Sequence, residues 1–138
     1  MKRYIDHSDK VWLLMSNAEE NTIDYLHVYE TEHNKVVHGC LTPDKEGIKT
    51  LITGLDNPSY IHYDWYTSLL YVCDDTKIMT YQIDFQEDDF INGDGFVLID
   101  DIKCKGLESD KFGNLFYVDA NDQAISRINY DQIFAKMR

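Results

Sequence analysis

Residues 64–84 read Asp-Trp-Tyr-Thr-Ser-Leu-Leu-Tyr-Val-Cys-Asp-Asp-Thr-Lys-Ile-Met-Thr-Tyr-Gln-Ile-Asp. The run 69–73 is apolar at every position, as a strand covered on both faces must be. Asp74, Asp75, Thr76 and Lys77 form a polar turn. Residues 78–83 then alternate, Met79, Tyr81 and Ile83 against Thr80 and Gln82, as a half-covered strand does. The stretch is a hairpin.

The same hairpin is written again at 110–131: Asp-Lys-Phe-Gly-Asn-Leu-Phe-Tyr-Val-Asp-Ala-Asn-Asp-Gln-Ala-Ile-Ser-Arg-Ile-Asn-Tyr-Asp. Asp64 falls on Asp110, Leu69 on Leu115, and Tyr71-Val72 on Tyr117-Val118. With one inserted residue, Ile78 falls on Ile125 and Asp84 on Asp131. Upstream, the apolar run 11–15 (Val-Trp-Leu-Leu-Met) resembles 69–73, and 23–30 alternates like 78–83. A repeat of about 46 residues holding four strand-sized pieces is the signature of propeller blades. The expectation is an all-β chain, part of a β-propeller, with about three four-stranded antiparallel blades near 2–53, 54–102 and 104–131. Two assignments stay open: either 35–41 or 48–53 is the outer strand of the first unit, and the tail after Tyr130 is a helical turn or a further strand.

Composition agrees with one domain of sheet. The chain has 138 residues, 43% of them hydrophobic, which is enough for one core. Ten tyrosines favour strand over helix. The net charge of −12 argues against nucleic acid or an anionic membrane surface, since binding phosphate needs a basic patch. No run approaches the length of a membrane span, and no signal peptide is visible at the start. The three cysteines, Cys40, Cys73 and Cys104, lack metal-site spacing. Cys73 reads as a small hydrophobe inside a buried strand, and a Cys40–Cys104 disulfide stays open.

Asp64-Trp65, the run 70–74, Ile78 and Asp84, with Gly54-Leu55 and Pro58 ahead of them, resemble a blade of the YWTD repeat of lipoprotein-receptor propellers. Gly106-Leu107, Asp110 and the run 113–117 are similar to NHL, SMP-30/lactonase and yellow/royal-jelly propellers. The resemblance covers 54–131 closely and 2–53 loosely. It implies a six-bladed ring and, if the chain is a fragment, an extracellular or lumenal setting. The tetrads read Tyr-Val-Cys-Asp and Tyr-Val-Asp-Ala, so the resemblance does not by itself secure the receptor repeat's own Thr and Asp hydrogen bonds.

Function follows as an expectation of a non-catalytic binding module for protein–protein interaction or assembly, needing no cofactor. Three blades cannot close a ring, so a protein partner or a second copy would complete it. Both end blades would then have one bare face. The rival readings are a metal-dependent SMP-30/gluconolactonase-like hydrolase fragment and a small-ligand carrier using the channel. For the hydrolase, Ca²⁺ or another divalent cation would be held by Asp64, Glu108 and Asp110. Asp64 and Asp110 also precede tight turns, where Asp bonds backbone. Asn92-Gly93-Asp94-Gly95 with Asp101 has part of a calcium-loop spacing, but position 1 would be Phe90, so it reads as a hairpin loop. No phosphate loop, nucleophile elbow or Cys–His pair is visible. Leu70, Val72, Phe116 and Val118 are expected between blades.

Overall fold

The computed structural model describes residues 2–5, 11–27, 35–37, 40–42, 48–83 and 94–137. Within them three antiparallel sheets follow one another along the chain. The first joins β1 (Lys2–Ile5), β2 (Val11–Asn17) and β3 (Thr22–His27) to a fourth strand. A separate hairpin, β4 (Lys35–Val37) and β5 (Cys40–Thr42), intervenes before that strand, β6 (Lys49–Ile52). The outer strand of the first unit is therefore the later of the two candidates, and the earlier one is an insertion.

The second sheet is the simplest meander: β7 (Pro58–Asp64), β8 (Leu69–Asp74), β9 (Lys77–Gln82) and β10 (Phe96–Asp100) lie side by side in chain order. Pro58 opens β7, where its missing N–H deprives the sheet of least. All six residues of β8 are buried, as its two-sided apolar pattern requires. The third sheet has three strands among the described residues where four are expected, β11 (Cys104–Ser109), β12 (Leu115–Asp119) and β13 (Ala124–Ile128), and a helix, α1 (Tyr130–Met137), follows in place of the fourth. The tail is thus helical. One half of a capping box starts it: the Asn129 amide donates to Gln132 Oε1 at 2.9 Å, and the Ile133 amide makes the first helical bond to the Asn129 carbonyl at 3.0 Å. Ile133 is buried, and Lys136 Nζ donates to the Leu98 carbonyl of β10 at 2.8 Å, which ties the helix to the second sheet.

The sheets stack face on face. Leu14, Ile23 and Leu51 of the first meet Ile61, Leu70 and Val72 of the second in one apolar cluster. Leu69, Tyr71 and Ile78, on the opposite face of the second sheet, meet Leu107, Leu115 and Ile128 of the third in another. Edge strand β7 of the second sheet lies against β1 and β2 of the first and β11 of the third. Each fully buried aliphatic side chain in these seams contributes about 1.5–3 kcal/mol. A disulfide between Cys73 and Cys104, with Cα atoms 5.6 Å apart, crosses the second seam. Cys73 is therefore a bonded partner rather than a free apolar filler. Cys104 takes Cys73 and not Cys40, whose side chain lies outside the described residues.

One sequence expectation fails for an instructive reason. Leu70 and Val72 are wholly buried, but Phe116 and Val118 are only half-buried. The pairing explains it. Tyr63 faces Leu70 and Ile61 faces Val72 in the second sheet, whereas Ser109 faces Leu115 and Leu107 faces Tyr117 in the third. The counterpart of Leu70 is thus Leu115, one residue away from the sequence match. The turn at 65–68 has become a longer one at 110–114, and a one-residue slip sends every side chain to the other face. Gly113, at φ 84°, makes the longer turn, and a Cβ there would run into Tyr130 and Thr67.

Candidate interaction surface

With that register, equivalent positions line up through all three sheets. Ser16 pairs with Ile23, Cys73 with Ile78, and Val118 with Ile125. In the first two sheets this face carries Leu14 and Ile23, then Tyr71 and Ile78, all fully buried against the sheet that follows. In the third sheet the same face carries Phe116, Val118 and Ile125, and Ile125 is 75% exposed. Chemistry repeats while cover does not. The result is a shallow apolar depression with Gly106 in its floor, rimmed by Glu108 on β11.

The opposite end of the stack differs. Leu13 alternates with Leu14 and so points away from the second sheet, yet it is only 4% exposed. The expectation of a bare face at each end is therefore met at the third sheet and not at this core position of the first.

Asp74 holds the entry to the second sheet, and Asp119 ties the entry to the third sheet to its own following turn. Asp74 Oδ1 accepts the amides of Asp56 at 2.9 Å and Asn57 at 2.7 Å. Asp119 Oδ1 accepts those of Lys103 at 3.2 Å and Asn121 at 3.0 Å. Both carboxylates are buried. They are structural clamps, a role that neither the polar turn nor the tetrads discloses.

The three candidate metal ligands have other partners. Asp64 Oδ1 accepts the Tyr66 amide at 2.9 Å. Asp110 accepts the Phe112 and Asn114 amides at 2.9 and 3.0 Å and the Asn114 side chain at 3.0 Å; the Asn114 hydrogen bonds hold its carboxyl below the ordinary range. Glu108 stands 3.6 Å from His62 Nδ1, while His62 Nε2 lies 2.6 Å from Ser109 Oγ, bridging the second and third sheets. His62 was missed because a single histidine in an alternating strand gives no sequence signal. Among the described residues no three His, Cys, Asp or Glu side chains gather as a metal-holding group. The 92–95 turn falls partly outside the described residues. No helix among them is long and apolar enough to cross a membrane.

The seam between the second and third sheets also holds a buried phenol. Among the described residues, no hydrogen bond of good geometry reaches the Tyr71 hydroxyl or the second Asp64 oxygen, and the Thr67 hydroxyl offsets the burial of the phenol only in small part. Burial above all, and then the nearby Asp64 charge, push the Tyr71 pKa far above the usual 10.0. Folding therefore favours the neutral phenol: its contribution is intact below pH 10.0 and is drawn down as pH climbs toward the raised folded value. Tyrosinate absorbance of the native chain should accordingly leave Tyr71 silent while exposed tyrosines ionise, and unfolding should release it. Uniform titration of all ten tyrosines in the native state would contradict the packing described.

No family model matches the chain, and no curated protein matches it significantly.

Proposed function

We propose that the chain is a non-catalytic binding module of β-propeller type, built from three blades. It works by docking a protein partner or a second copy on the uncovered face of its third sheet. The observation that carries this reading is the row Ile23, Ile78 and Ile125: the first two are fully buried under the next sheet and the third stands bare. Three stacked meanders, with edge strand β7 against the sheets on either side, support the propeller assignment, as does the resemblance of 54–131 to YWTD- and NHL-like repeats. A contiguous exposed apolar patch marks an interaction site in stable proteins, and Ile125 stands here beside the half-buried Phe116 and Val118.

The rival hydrolase would gain stability from its cation in proportion to occupancy, whereas a docking module would not. Two measurements on the dilute chain test the proposal. A dye that fluoresces on apolar surface should bind the parent and lose most of its signal with Ile125→Glu. The melting temperature should not change with millimolar Ca²⁺. Absence of dye binding would remove the open face, and a rise of several degrees with Ca²⁺ would turn the reading toward the metal-dependent enzyme.

A further inference from the structure

We infer that the occupant of this face is a second copy of the chain, seated back to back about a twofold axis running along β12. The inference rests on the docking reading and adds the partner and its geometry.

The uncovered face is self-complementary across β12. Register places Glu108, Phe116 and Arg127 side by side in one row, reading negative, apolar, positive. The next row holds Gly106, Val118 and Ile125: Val118 pairs with Ile125, and a Cβ built on Gly106 would meet only Val118, at 3.4 Å. A twofold axis along the central strand exchanges the two edge strands and leaves the rows in place. Glu108 of one copy then faces Arg127 of the other, twice. The exposed Ile125 of one copy enters the recess over Gly106 of the other, again twice, and Phe116 and Val118 meet their own symmetry mates in the middle. Knob meets hole and charge meets opposite charge once the exposed Glu108 side chain turns from His62 Nδ1, 3.6 Å away, toward Arg127 of the other copy.

A ring closed by two copies would instead set this face on the outer side of the first sheet. That side is not bare at its core position, since Leu13 is buried. Isologous pairing needs one open face per copy, and one is what the described residues offer. Aligned packing of two such sheets, about 10 Å apart, is ordinary sandwich geometry.

Sedimentation of the full chain against concentration tests this. The parent should pass from monomer to dimer on concentration. Glu108→Arg alone sets two arginine pairs against each other and should weaken the dimer about tenfold; Arg127→Glu alone should do the same with two glutamate pairs. The double variant restores opposite charges across the axis and should recover the dimer. Gly106→Leu, which fills the recess, should also give a monomer, with the dilute far-UV spectrum of the parent confirming the fold. A parent that stays monomeric at high concentration while still binding the apolar dye would overturn the second-copy proposal and leave the docking face intact. A double variant no better than the singles would overturn the twofold arrangement.

Discussion

Leu70→Ala should destabilise the chain by about 2–5 kcal/mol, the range for removing a large aliphatic side chain from a packed core. Leu70 is fully buried in the middle of the seam between the first two sheets, with Ile61, Val72 and Tyr81 around it. Sheets on both sides of β8 limit collapse into the void, which places the cost toward the upper half of that range. Phe116→Ala in the dilute chain supplies the contrast. Its face is uncovered, so removal takes away only partly buried surface and should cost no more than about 1 kcal/mol. Urea unfolding of the two variants side by side measures both. Equal losses would mean that the third sheet is covered like the second, and a loss under about 0.5 kcal/mol at Leu70 would mean that β8 is not internal.

Asp74→Ala should lower stability by about 2–5 kcal/mol, although it removes no apolar group. The Asp74 carboxylate is buried and gathers two consecutive amides, from Asp56 and Asn57, at the point where the chain turns into β7. Alanine leaves both donors without an acceptor, and each such orphan costs about 1–3 kcal/mol when water cannot replace the partner. Lys77, 3.9 Å from Asp74 and 2.8 Å from the exposed Asp56, keeps its second partner, so the exposed ion pair adds little. Asp74→Asn retains an acceptor oxygen and should recover most of the loss. If alanine and asparagine prove equally mild under urea, the clamp is not holding the entry to β7.

Much of this architecture is legible in the residues. The two-sided apolar run of β8, its polar turn and the alternation of β9 state their own structure, and their recurrence states the stack. What the residues hide is the length of one turn. Tyr117-Val118 copies Tyr71-Val72 letter for letter, yet the longer turn at 110–114 moves β12 by one position and reverses its faces. An identity match follows the letters, whereas the sheet follows the hydrogen bonds. That is why Phe116 and Val118 are expected inside, and why the match of Ile125 to Ile78 does not by itself disclose that Ile125 stands exposed. The disulfide was equally hidden: Cys73 and Cys104 are separated by 31 positions, and nothing in three widely spaced cysteines says which two meet. Glu108 was singled out as a cation ligand, and its row with Phe116 and Arg127 emerges only from cross-strand pairing. A clamp such as Asp119 is invisible for the same reason, because both amides it gathers are backbone.

The bond between Cys73 and Cys104 also fixes how the molecule would respond to being pulled. Tension applied at the two termini travels along the backbone until it reaches one of these cysteines and then passes straight to the other. The segment spanned by their 31-residue separation is left out of the load path. That segment contains β9 and β10 and most of the second sheet's outer half. The first sheet and α1 would unravel under load while this portion stayed slack, withholding roughly 100 Å of extension at about 3.3–3.6 Å per residue. Reduction would return that length to the chain, so the extension recorded with and without reductant would differ by one discrete increment.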